Sequence, residues 1–323
     1  MRTQVRSFRD LRRRHPRLWK YGRVVIHATL FATVMYYVLV VLAGRLAGLS
    51  LADLRVDMGV AAISVALLVM SRVVTVLTYR QTVSMFMSPP AWREFVVIAF
   101  VPSLAKYVPG KVTGFLGALW FFDRAGVRVP IASATLLIMR VLILAVAFMV
   151  SLPALIVTVG FGRIGTMWAW GLLLAIVVAA AMHPRVFKPV ANRVLTRLGA
   201  RELERTPRPG EFLAPATTVF VQWLCTGASL WFMARALSPL SIDTLPLCIS
   251  ATALANVLGY IAFFAPAGLG VREGVLLFAM GSIMADDQLA ITVIMLRVVE
   301  MAVEVALAGI GIAVQHLPRQ HTG

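Results

Sequence analysis

The chain has 323 residues, 60% of them hydrophobic and 14% charged, with a formal net charge of +17. Soluble domains carry roughly 25% charged residues, so the composition excludes an ordinary soluble globular protein. The hydrophilic stretches reach about 30 residues at most, too few for a separate soluble domain. Nucleic acid is the reflex partner of so basic a chain, but the charge sits in short loops beside apolar runs. Lys and Arg excess there marks the cytoplasmic side of a membrane and attracts anionic lipid head groups. The expected class is therefore an all-α polytopic membrane protein with no nucleic-acid partner.

Residues 1–23 hold eight Arg and one Lys against one Asp, with Trp19 and Tyr21 at the junction to the first apolar run. This predicts a basic cytoplasmic segment lying along the head groups. The run Val24–Ala43 lacks an A-x-A cleavage site and is too long for a signal-peptide core, so it predicts a retained first span. The loop that follows is charge-balanced and suits the outer side. A second span is predicted over Met58–Tyr79, with Arg72 reaching toward the cytoplasmic interface and Arg80 and Arg93 marking that side.

Residues 94–122 contain two short apolar runs, Phe95–Leu104 and Val112–Phe122, around a break at Lys106–Gly110. Neither run is long enough to cross a bilayer core of about 30 Å. They predict a re-entrant helical hairpin, whose irregular backbone needs protein or water around it. Spans three and four follow over Ile131–Val157, which carries Arg140, and Thr166–Met182. The loop 183–212 has seven Arg or Lys against three Glu, and Val186, Val190, Val194 and Leu198 recur every fourth residue. That spacing predicts a basic amphipathic helix on the inner surface.

Span five is predicted over Phe212–Ala236. A second hairpin follows from Thr244–Phe264 and Val271–Ser282 around the break Pro266–Gly270, with two full crossings as the alternative. Span six, Leu289–Val314, carries Arg297, Glu300 and Glu304 and leads to a cytoplasmic tail.

Pro109 and Pro266 are 157 residues apart, and so are Arg140 and Arg297. The same shift places span five on span two, hairpin on hairpin and span six on span three. The predicted architecture is six spanning helices plus two re-entrant broken hairpins in two inverted repeats. Repeat one covers 24–158 and repeat two 159–316, with the tail at 317–323. Inverted repeats broken at matching positions point to a transporter-like site.

Charges deep in a bilayer are unfavourable by a few kcal/mol or more each and usually face a cavity or a partner. Lys106, Lys111, Arg140, Arg272 and Arg297 are the candidate ligands for a phosphate head group. Glu273, Glu300 and Glu304 are candidates for gating or proton coupling. The breaks are Pro109, Gly110, Pro266, Gly268 and Gly270. Structural pairing is the competing reading for each charge. Arg297 and Glu300 stand at i and i+3 and can pair on one helix face, and Arg272–Glu273 can cap and pin the second hairpin.

No nucleotide fingerprint or phosphate-binding P-loop survives inspection, and no catalytic Ser/His/Asp or Cys/His set is apparent. Cys225 and Cys248 read as small hydrophobes, and His27 as a packed or cavity-facing residue. Neither a catalytic residue, a metal nor a cofactor is expected.

The stretches Tyr107-Val-Pro-Gly-Lys111 and Ala265-Pro-Ala-Gly-Leu-Gly-Val-Arg-Glu-Gly274 resemble the two signatures of the lysylphosphatidylglycerol synthase transmembrane-region family, also called flippase-like or UPF0104. The second often reads P-G-G-L-G-x-R-E-G there, and Ala267 replaces its first glycine here. The resemblance covers about residues 20 to 315 and implies the transport half of such a synthase, without the soluble aminoacyl-transferase domain. Carried over by position, it implies that Lys111, Arg140, Arg272, Glu273 and Arg297 line a head-group path. The leading expectation is a flippase-like transporter, multi-pass in the cell (inner) membrane with both termini cytoplasmic. It would move an anionic or phosphate-bearing lipid, a phospholipid or polyprenyl-phosphate, through a basic central cavity. The alternatives are a membrane-embedded transferase on a lipid carrier and a non-transporting subunit of an envelope or glycosylation complex.

Overall fold

A computed structural model describes residues 55–107, 112–159, 189, 192–193, 196, 205–262, 268 and 270–316. The predicted spans Val24–Ala43 and Thr166–Met182, His27, and most of the loop 183–212 lie outside the described residues. So do Pro109, Gly110, Lys111 and Pro266.

The described chain is helical throughout. Eight α-helices run in order: α1 Met58–Ser84, α2 Trp92–Phe100, α3 Val112–Arg124, α4 Val129–Val159, α5 Leu213–Arg235, α6 Leu245–Ile261, α7 Val271–Met280 and α8 Asp286–His316. A 3-10 turn, Pro102–Tyr107, continues α2 toward the first break. Among the described residues, three segments are apolar enough by length and composition to cross a membrane: Met58–Ser84, Val129–Leu152 and Ile242–Ile261. The third is the first arm of the second hairpin. It is far longer than its counterpart α2, which has nine residues.

Two four-helix sets follow one another, long–short–short–long and then long–medium–short–long. Helices α4 and α8 are each 31 residues long and begin at 129 and 286, a difference of 157. The first helices of the two sets, α1 and α5, pack side by side and run antiparallel. Asp57 N donates to the Ala236 carbonyl at 2.9 Å. Ser64 Oγ donates to the Ser229 carbonyl at 2.7 Å, Ser71 Oγ meets Thr226 Oγ1 at 2.7 Å, and Thr78 Oγ1 donates to Thr218 Oγ1 at 3.0 Å. As one helix advances, the other retreats.

The seam is legible in the composition of α1. Ser64, Ser71 and Thr78 recur every seven residues, a spacing that keeps them on one helix face, and all three are fully buried. Small hydroxyl residues let two backbones approach closely where lipid gives no hydrophobic drive for association. Asp57 opens α1 by accepting from Gly59 N at 2.9 Å and Val60 N at 3.1 Å, which satisfies amides left open at a helix start.

Two apolar cores flank the seam. One gathers Phe95, Phe122, Ile131 and Leu136 from the first hairpin and α4, with Val219 and Trp223 of α5. The other gathers Trp231, Leu276, Met280, Leu289 and Val293 around the second hairpin and α8. The short helices α3 and α7 each thus bury one face, Ala118 and Phe122 in the first core and Leu276, Ala279 and Met280 in the second. Cys248 is buried in the second core and Cys225 half-buried, and neither is in a disulfide.

Candidate functional site

The charged site is built on α8. Arg297, Glu300 and Glu304 stand at i, i+3 and i+7, one face of a helix. The helix runs from 286 to 316, so its midpoint is residue 301, one position from Glu300. Arg72 lies one position from residue 71, the midpoint of α1, which runs from 58 to 84. The two helices therefore bring their charges together at mid-length.

Arg72 Nη2 lies 2.6 Å from Glu300 Oε1 and 2.9 Å from Glu304 Oε1. From within α8, Arg297 Nη1 lies 3.0 Å from Glu300 Oε2, and its Nε is 3.6 Å from Glu273 Oε1 on α7. Arg272 Nη2, also on α7, reaches Glu300 Oε2 at 3.5 Å. Glu300 thus meets three guanidiniums with a side chain only 8% exposed, and Glu304 is 3% exposed. Three arginines face three carboxylates, so these six groups carry no formal net charge.

The second hairpin delivers Arg272 through a slot that glycines keep open. A methyl group at Gly259 of α6 would come within 2.7 Å of Arg272 Cγ, and one at Gly268 within 3.0 Å of Arg272 Cδ. The two glycine backbones pack directly on each other, since a methyl group at Gly268 would also lie 3.1 Å from Gly259 Cα, and the Arg272 stem lies against both, where a side chain on either would displace it. Gly270 turns the chain into α7 with φ of 82°, a conformation that glycine adopts without strain. Its amide donates to Glu273 Oε2 at 2.7 Å. Glu273 therefore caps its helix and contacts Arg297, the pinning role that the sequence offered for Arg272–Glu273.

One sequence expectation changes, and one pair equivalent by position is split. Arg72 does not reach toward the cytoplasmic interface, because Glu300 and Glu304 hold it at mid-helix. Arg140 does not join Arg297, despite their equal positions under the 157-residue shift. Its Nη1 donates to Tyr260 Oη at 2.9 Å, and the guanidinium carbon lies 5.8 Å from that ring's centre. The reason lies in their neighbours. Position 300 is Glu, whereas its counterpart, 143, is Ile. Arg297 has a carboxylate one turn away on its own helix and Arg140 has none.

The structure thus gathers Arg272, Arg297, Glu273, Glu300 and Glu304, sets Arg140 beside Tyr260, and places Lys106 in the 3-10 turn at the first break. Sequence reasoning missed Arg72 as a partner, Gly259 as a wall of the slot and Tyr260 as the group that receives Arg140. A signal for Arg72 was present: an arginine near the centre of an apolar helix rarely lacks a carboxylate elsewhere in the bundle.

A guanidinium offers a planar fork that binds carboxylate and phosphate alike. The network can therefore exchange one oxyanion for another. An incoming phosphate that displaced Glu300 would find three forks already converging, and the freed carboxylate would need a proton or another cation.

Compared with protein-family models and with curated proteins, the chain matches none.

Proposed function

We propose that the protein is a flippase-like membrane transporter that carries an anionic or phosphate-bearing lipid between leaflets, as its two signature-like breaks suggest. The observation that carries this reading is the Arg72–Glu300–Arg297 network, centred on apolar helices and joined by the tip of a broken hairpin. Ionisable groups at mid-membrane depth are costly to keep and typically mark a substrate or ion pathway. Broken helices at corresponding positions of two halves typically frame such a site.

In this reading the two four-helix sets are inverted repeats in the cell membrane, with both termini cytoplasmic. The antiparallel packing of α1 and α5 and the equal lengths of α4 and α8 support the inversion. The head group binds by competing with Glu300 for Arg72, Arg272 and Arg297. Glu273, paired with Arg297, keeps the start of α7 in place until that exchange occurs. The formal neutrality of the six groups favours exchange over a standing basic cavity, because the resting site is already satisfied. Arg140, with Tyr260, serves the opposite half of the path.

The test is leaflet exchange of a fluorescent phosphatidylglycerol in proteoliposomes, read by dithionite quenching. Exchange above empty vesicles, lost in Arg72→Gln and in Arg297→Gln, is expected. Wild-type exchange in both variants would remove the network from the transport path.

A further inference from the structure

A charged cavity lies away from the Glu300 network. It encloses about 230 Å³ between the start of α2, the end of α3 and the end of α8. Arg93, Glu94, Arg124 and Gln315 supply its polar wall, and Phe121 and Val314 its apolar one. Arg93 and Glu94, neighbours in the first turn of α2, pair on one side of it at 3.3 Å. Ligand pockets for whole drug-sized molecules span about 300–1,000 Å³, so this cavity suits a head group rather than an entire lipid.

Its depth follows from α8. Val314 is 14 residues beyond Glu300, about 21 Å along the helix axis at 1.5 Å per residue. That is a few ångströms beyond the half-thickness of a bilayer core of about 30 Å, within the head-group layer. With the ionic network near the midplane, the cavity lies level with the membrane–water interface. The surrounding residues fit that level. Trp92 and Trp120 are each about half exposed, as interfacial aromatics are. Arg80 lies 4.4 Å from the centre of the Trp92 ring, and Arg124 lies 4.8 Å from that of Trp120.

The outer face of α3 supplies the rest. Leu116, Trp120 and Arg124 recur at i, i+4 and i+8, so they stack one above another. Leu116 and Trp120 are 57% and 52% exposed. The stripe reads apolar, aromatic, cationic toward the cavity, the order of a lipid's acyl chain, interfacial linkage and phosphate.

We infer that the Arg93–Arg124 cavity binds the phosphate of a glycerophospholipid head group at the membrane interface, with the acyl chain lying along Leu116 and Trp120. The Arg93 and Arg124 guanidiniums offer two forks of the kind that bind phosphate as they bind carboxylate, and the apolar wall of Phe121 and Val314 suits the glycerol linkage. The inference rests on the membrane placement proposed above and deepens it by naming the head-group chemistry at the entry. Equilibrium binding tests it without any flux, so its failure is distinguishable from failure of leaflet exchange.

The full chain, purified in detergent, is titrated by calorimetry with dihexanoyl phosphatidate, dihexanoylglycerol and inorganic phosphate. Phosphatidate is expected to bind saturably, with the other two at least tenfold weaker. Arg93→Gln with Arg124→Gln is expected to weaken phosphatidate binding at least tenfold. Val314→Trp, which fills the cavity and leaves its charges in place, is expected to do the same. Arg93→Lys with Arg124→Lys is expected to stay within about threefold, since an ammonium remains a phosphate ligand. Arg235→Gln, at the opposite end of the bundle, is expected to bind as the wild type does. Thermal melts check folding, and if the double glutamine variant unfolds, Val314→Trp decides. Equal affinity for dihexanoylglycerol or for inorganic phosphate overturns the inference, as does undiminished phosphatidate binding in Val314→Trp.

Discussion

Arg72 and Glu300 are 228 positions apart in the chain and 2.6 Å apart in the fold. Their contact ties the first described helix to the last, midway along both. Arg297 and Arg272 reach the same carboxylate from α8 and α7. One glutamate thus fixes the hairpin tip against the two helices.

Removing that glutamate leaves guanidiniums close together with less compensation. Breaking a buried pair by deleting one partner costs about 3–5 kcal/mol. Glu300→Ala is expected to lose stability on that scale, measured by denaturant unfolding in detergent. Glu300→Gln keeps the shape and an acceptor oxygen and is expected to lose less. Equal stability of Glu300→Ala and wild type would show the network to be energetically slack.

The coupling between Arg72 and Glu304, at 2.9 Å, is expected to appear in a double-mutant cycle. Arg72→Met and Glu304→Leu each leave an unbalanced charge, whereas together they remove one of each sign. The double variant is expected to be more stable than additivity predicts by about 0.5–3 kcal/mol. Additive losses would mean that the two side chains are not energetically coupled.

Gly259→Ala puts a methyl group 2.7 Å from Arg272 Cγ. The arginine must leave the slot or α6 must shift, and overpacking of this kind costs about 1–3 kcal/mol. The expected signature is a thermal melt lowered accordingly, with leaflet exchange reduced even where the protein stays folded. An unchanged melt and unchanged exchange would mean that the slot has room to spare.

Gly227→Ala and Gly274→Ala separate packing from backbone freedom. A methyl group at Gly227 would meet a backbone atom, the Ile249 Cα, at 2.3 Å, whereas at Gly274 nothing lies within 4 Å. Gly227→Ala is expected to force α5 and α6 apart and to lower the melting temperature. Gly274→Ala, in the interior of α7, is expected to gain about 0.5–1 kcal/mol from reduced chain entropy. The opposite order would show that the last glycine of the second signature serves something other than packing.

Length, apolar runs and the placement of prolines and glycines determined much of this protein from the sequence alone. The hairpin arms and the long helices carrying Arg140 and Arg297 lie within a few residues of where local composition put them, because helix starts and breaks are decided by near neighbours. The 157-residue spacing of Pro109 and Pro266 was visible for the same reason. The company of each charge was not. Arg140 and Arg297 are equivalent by position, yet one meets Tyr260 and the other a carboxylate network. Arg72, Gly259 and Glu300 come from three separate stretches, and only the packing of α1, α6, α7 and α8 brings them into reach. Coulomb attraction and steric clearance act across a few ångströms of space, and distance along the chain says nothing of them until the helices are in place.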